Sequence, residues 1–221
     1  ANACPGGGLS GFTGPYSFCT PCASVNLPYA NNFDFGPGCF TIVDGGTSTD
    51  TWRAAPAGGG SSGGDLDGTA HMEVDSDDAG SGETLNEVLL SPTIDASSIT
   101  GSLILEFDQY YNNLSSDSAF VDVYDGTNWV NVFKSSSDVG SFANPDNQYI
   151  DITSYANAAL QVRFFYKDNG VFAWYWLIDN FSVKEILCSP SVNFNATFVG
   201  GDSVNLAWTS GTAAGFAVEY G

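Results

Sequence analysis

The residues best suited to chemistry in this chain are the carboxylates of "MEVDSDDAGSGETLNEVLLSP", residues 72–92. Glu73, Asp75, Asp77, Asp78, Glu83 and Glu87 stand there with no Lys or Arg among them. Two unit charges about 4 Å apart repel by roughly 1 kcal/mol even in water, and by more near a protein surface. Either the run is spread into solvent or a cation neutralises it. Calcium takes six to eight oxygens at about 2.3–2.6 Å from carboxylates, carbonyls and water. A D-x-D followed by Gly lets one loop wrap such oxygens around an ion, and Asp75-Ser76-Asp77-Asp78-Ala79-Gly80 has that form. An EF-hand is excluded, because the fifth position is Ala79 and the twelfth Asn86. The competing reading is a solvated acidic loop in a very acidic protein.

A second kind of chemistry is recognition by aromatic rings. In "FAWYWLIDNF" (172–181), alternation puts Phe172, Trp174, Trp176 and Ile178 on one face and Tyr175 and Leu177 on the other. A sandwich core consumes one such face. On an exposed face, Trp174, Tyr175 and Trp176 would offer flat area for the apolar C–H faces of sugars. Tyr110 and Tyr111 in "DQYYNN" are similar candidates.

Catalysis finds little support. His71 is the only histidine, so the H-E-x-x-H helix of a metalloprotease cannot form. A serine hydrolase would want a nucleophile elbow of the G-x-S-x-G type, and none is read in the chain. Abundant carboxylates without a placed partner do not make an acid–base pair.

The elements that must position these residues are strands. The chain has 221 residues, 43% hydrophobic and 14% aromatic, enough for one sizeable domain and part of another. Strands are expected in "TAHMEVD", "EVLLSPTID", "SLILEFDQYY", "AFVDVYDGTNWVNVF", "NQYIDIT", "LQVRFFYKD" and "WYWLIDNFSV". Asp125-Gly126 between alternating runs signals a hairpin. Short strands separated by turns imply an all-β fold, an antiparallel sandwich. "TWRAAPAGGGSSGG" (51–64) is expected to be a flexible loop.

Charge excludes several functions. Five Lys and Arg face 25 Asp and Glu, a formal net charge of −20. Nucleic acid needs clustered cations, and so does an anionic membrane surface. No 18-residue apolar run is present for membrane insertion. Cys4, Cys19, Cys22 and Cys39 lie in an irregular Gly/Pro-rich leader (1–30) or just beyond it. They are read as structural disulfides of an oxidising compartment, with the pairing open and Cys188 left odd.

Residues 32–186 resemble a family. "NEVLLSPTIDASS", "LILEFDQYY", "SAFVDVYDGTNWVNV", "YIDITSYANAALQVRFFY" and "WYWLIDNFSV" follow, in order, the pattern of MAM-like or cleaved-adhesin-like jelly-roll modules of secreted Bacteroidota proteins. The stretch from Cys188 resembles the first strands of a fibronectin type III domain, through Pro190, Leu206, Trp208 and "FAVEYG" (216–221). The domains implied are a leader over 1–30, a jelly roll over 31–187 and a partial fibronectin-like domain over 188–221. The resemblance implies structural calcium. Its ligands would be some combination of Asp75, Asp77, Asp34 from the first strand and Asp179 from the last; Asp78, Glu87 and Asp108 are second choices.

The resemblance also implies a non-catalytic adhesion module, secreted or on the cell surface, with type IX secretion expected. Its partners would be an extracellular glycan or protein surface and further domains downstream. The alternatives are an accessory carbohydrate-binding module of a secreted hydrolase and a structural subunit of an extracellular filament.

Overall fold

Successive side chains of a strand point to opposite faces, so the alternating pattern of this chain builds two sheets around one apolar layer. A computed structural model describes residues 22–114, 116–187, 192–200 and 203–209. Short strands come first: β1 (Val25–Asn26), β2 (Tyr29–Asn31), β3 (Thr41–Val43) and β4 (Arg53–Ala55). Next, β5 (His71–Asp75) runs into one helical turn, α1 (Ser76–Ala79), before β6 (Asn86–Leu90) and β7 (Ile94–Asp95). Then come β8 (Ser102–Tyr111), β9 (Ser118–Tyr124), β10 (Trp129–Ser135), β11 (Asp146–Asp151), β12 (Gln161–Lys167) and β13 (Tyr175–Ile186). The last two are β14 (Val192–Gly200) and β15 (Ser203–Thr209).

One sheet has the order β10-β9-β12-β6-β3, and the other β11-β8-β13-β5-β4 with β2 added to β13. Pairing within both is antiparallel. Neighbours distant in sequence, such as β5 beside β13, make this the expected jelly-roll sandwich. The hairpin signal holds: Asp125 N–H donates to the Asn128 carbonyl, and Gly126 takes φ +95.

The core lies between the sheets. Met72, Val74, Leu105, Phe107, Trp176 and Ile178 from one meet Leu89, Val121, Val123, Val162 and Phe164 from the other. Phe164 sits edge-on to Phe107 and Trp176 at 5.0 and 5.8 Å between centroids. Trp176 and Tyr111 are therefore not ligand platforms. Both are fully buried, and the Tyr111 hydroxyl donates to Asp117 Oδ2 at 2.7 Å.

The stretch 51–64 is not a free loop. It contains β4, which pairs with β5, and its Ser61 and Ser62 backbone N–H groups both donate to the buried Glu73 carboxylate at 3.1 Å. A Gly/Ser tract has little shape of its own, and here an acceptor beneath it supplies the shape.

Cys22 and Cys39 form a disulfide. Cys4, Cys19, Cys188, Pro190 and 216–221 lie outside the described residues. β14 and β15 pair with each other, and β15 carries Leu206 and Trp208.

Candidate ligand-binding cleft

Where β5 ends and β13 begins, Asp75 stands opposite Tyr175. Trp174 precedes Tyr175, and its carbonyl accepts from Ser76 N–H at 3.0 Å and from the Tyr166 hydroxyl at 2.9 Å. Asn112, just past β8, donates its N–H to the Tyr175 carbonyl at 3.0 Å. Strand pairing thus gathers these groups around a cleft of about 230 Å³. It is lined by Trp174, Tyr175, Asp75, Asp77, Asn112, Ser61 and Ser62, of which Tyr175 and Asp75 are buried, Trp174 half-buried and Asp77 exposed.

Each wall is held in place. Asp75 Oδ1 accepts from Asp77 N–H at 2.9 Å, capping the helical turn, and Oδ2 accepts from Ser61 Oγ at 2.8 Å. Burial pushes the Asp75 pKa up, and the neighbouring charges of Glu73 and Asp78 add to that, against the hydrogen bonds from Ser61 and Asp77. Tyr175 is packed by Leu66 and Leu177 and stacks on Phe142 at 5.9 Å and 23°. Tyr110 meets both Tyr175 and Phe142 edge-on, so it buttresses the cleft without lining it.

Behind the cleft, fully buried Glu73 accepts from Arg53 Nη2 at 2.9 Å and from Ser61 Oγ at 3.0 Å. Burial pushes the Glu73 pKa up, but hydrogen bonds from Ser62, Arg53 and Ser61, with the Arg53 charge, hold it below the usual carboxylate range. Arg53 Nη2 also contacts Asp78 Oδ2 at 2.8 Å. Within the acidic run, Arg53 pairs with Glu73 and Asp78, while Ser61 and backbone N–H groups donate to Glu73 and Asp75.

Of the residues expected to hold calcium in some combination, Asp75 and Asp77 meet at the cleft, and Asp179 does not join them. Asp75 lies opposite Tyr175, and Asp179 is four residues further along the same strand, roughly 13 Å away at the rise of a β-strand. Asp179 is fully buried in a different cluster, where its Oδ1 accepts from Asn180 N–H at 2.7 Å. Asn180 Nδ2 bridges Asp67 and Asp108 at 3.0 and 2.9 Å. Burial, with the nearby charges of Asp67 and Asp108, pushes Asp179 up to about 7. Asp34 accepts from the Asn32 amide in the turn after β2.

Of the second choices, Asp78 pairs with Arg53 and Asp108 with Asn147 and Asn180. Glu87 is buried on the core side of β6 beside Leu89, and burial pushes its pKa up. Among the described residues, no group of three His, Cys, Asp or Glu side chains is placed to hold a metal.

Sequence reasoning missed Ser61, Ser62 and Asn112, whose signal is only that polar loop residues flank the strand ends. It also missed that Gly59-Gly60-Ser61-Ser62-Gly63 has the letters of a nucleophile elbow. No helix follows this tract, and Ser61 Oγ bonds to Glu73 and Asp75 rather than to an imidazole. His71 is fully buried with both ring nitrogens unpartnered, and burial pushes its pKa down. These groups do not form a triad.

No family model and no curated protein matches the chain. Its structure is similar to the K1 cleaved adhesin domain of Lys-gingipain from Porphyromonas gingivalis W83, at 13% identity and a TM-score of 0.56, covering 72% of this chain and 99% of that one. Weaker likenesses are the K3 cleaved adhesin domain of the same protein, at 14% identity and a TM-score of 0.48 over 71% of this chain and 96% of that one, and TmCBM61, solved with beta-1,4-galactotriose, at 13% identity and a TM-score of 0.48 over 70% and 94%. The K1 likeness concerns the fold alone: the chain is a jelly-roll β-sandwich.

Proposed function

We propose that this chain is a non-catalytic, extracellular glycan-binding module that serves in attachment, and that its ligand enters the cleft beside Trp174 and Tyr175. The observation that carries this reading is the composition of that cleft: two rings beside carboxylate, amide and hydroxyl groups. Rings supply apolar area for sugar C–H faces, and fixed polar groups orient hydroxyls. With the exposed Asp77 in the wall, the ligand is a neutral sugar, since a uronate or sialate would be repelled.

Secretion by a type IX route and a fibronectin-like domain from residue 188 belong to the same proposal, with the β14–β15 hairpin as the support for the second. An array of neutral and acidic glycans tests the cleft. Binding to neutral oligosaccharides, lost in Trp174→Ala and weakened in the exposed Asp77→Ala, is the expected result. Unchanged binding in both variants would overturn it.

A further inference from the structure

The outer face of the five-stranded sheet is built differently from the rest of the molecule. Cross-strand register places Trp129, Tyr124 and Gln161 in one row, Asn131, Asp122, Arg163 and Leu90 in the next, and Lys134, Phe120, Phe165 and Val88 in a third. Lys167 follows, opposite Ser118 and Asn86. These positions alternate with the buried Val121, Val123, Val162 and Phe164, so they face away from the core. The four rings are half-buried, and no described element pairs over them.

Charge is what sets this face apart. Only five Lys and Arg oppose 25 Asp and Glu in the chain, yet Lys134, Arg163 and Lys167 are all here. Arg53 and Lys184, on the other sheet, are ion-paired to Glu73 and Asp78 and to Glu106. Among the described residues, Lys134 and Lys167 form no ion pair. Arg163 pairs with Asp122 at 2.8 Å while its guanidinium lies 4.5 Å from the Trp129 ring centre. Lys134 Nζ lies 5.1 Å from the Phe120 centre, and Phe120 stacks on Phe165 at 5.7 Å and 27°. Aromatic faces attract cations, so the Phe120 ring holds Lys134 against the sheet without cancelling its charge, whereas Asp122 offsets Arg163.

We propose that this face is a second binding surface, independent of the cleft, for an anionic polysaccharide. Such a polymer presents apolar ring faces with carboxylates or sulfates at regular intervals. Its chemistry matches ring pairs at the two ends of the face, Tyr124–Trp129 and Phe120–Phe165, four residues or roughly 13 Å apart along β9. The acidic remainder of the molecule does not prevent approach, because charges beyond about 8 Å are largely screened at physiological ionic strength.

The test is affinity electrophoresis of the whole chain through gels containing polygalacturonate, heparin or neutral galactan. The wild type is expected to be retarded by at least one of the two polyanions; any retardation by galactan belongs to the cleft and should be lost in Trp174→Ala but kept in Lys134→Glu/Lys167→Glu. That double reversal, two surface changes, should weaken the polyanion retardation by roughly tenfold. Trp174→Ala should leave it intact, which separates this surface from the cleft. Added salt should also abolish it. Absence of retardation by both polyanions would overturn the proposal, as would retardation unchanged by the double reversal. Self-association through this face, seen as a concentration-dependent sedimentation coefficient that the double reversal removes, would assign it instead to an acidic surface of a second copy.

Discussion

The two outer faces of this sandwich treat charge in opposite ways. Over the six-stranded sheet, a Gly/Ser tract is drawn down onto Glu73, and nearly every carboxylate there has a partner: Arg53 for Glu73, Ser61 for Asp75, Asn180 for Asp67 and Asp108. The outer face of the five-stranded sheet carries rings and two lysines without an acidic partner. A strongly acidic chain therefore need not be acidic on every surface. Carboxylates can be buried where backbone N–H groups and one arginine satisfy them, and cations can be left exposed where rings hold them.

The largest effect is expected on the covered face. Glu73→Ala leaves Arg53 and the Ser61 and Ser62 N–H groups without their acceptor, and breaking a buried pair costs about 3–5 kcal/mol. Denaturant unfolding should show that loss, and limited proteolysis should then cut within 58–64; a tract that stays resistant would mean Glu73 does not pin it.

A smaller effect should depend on pH. Burial pushes the Asp179 carboxyl up to about 7, above its ordinary carboxylate value, so the native state binds the extra proton. Its ionisation lowers stability as pH rises from about 4 through about 7. Asp179→Asn should therefore stabilise the protein at pH 8, on the order of 2 kcal/mol, and change little at pH 4. Thermal melts at both pH values check the sign, and equal shifts at the two would contradict it.

On the open face, Lys134→Glu/Lys167→Glu should alter stability by less than about 1 kcal/mol. A larger loss would make those lysines structural and blur the contrast between the faces. Smallest of all, excess calcium followed by chelator should leave the melting midpoint of the whole chain unchanged. A shift of several degrees would restore a metal site that the placement of Asp34, Asp75, Asp77 and Asp179 does not provide.

Much of the fold was legible because strands declare themselves by alternation. "SLILEFDQYY" is β8 residue for residue, and the Asp125-Gly126 turn lies where expected. The cleft was half legible. Trp174, Tyr175, Asp75 and Asp77 stood out by residue type, yet they were assigned to two different ligands, because only strand pairing shows that Asp75 faces Tyr175. Ring burial could not be read in the same way: Trp176 and Tyr111 look like their neighbours in sequence, and the strand's other face takes them into the core. Loop 51–64 misled for a physical reason, since its shape comes from a carboxylate twelve residues from Ser61 in sequence.

The central claim is that the cleft beside Trp174 binds a neutral sugar. Calorimetric titration of one neutral oligosaccharide into the wild type, Trp174→Ala and Phe165→Ala measures it directly. The account predicts a loss of roughly tenfold or more in affinity for Trp174→Ala and none for Phe165→Ala. Full affinity in Trp174→Ala, with binding lost in Phe165→Ala, would contradict it and move the sugar to the opposite sheet.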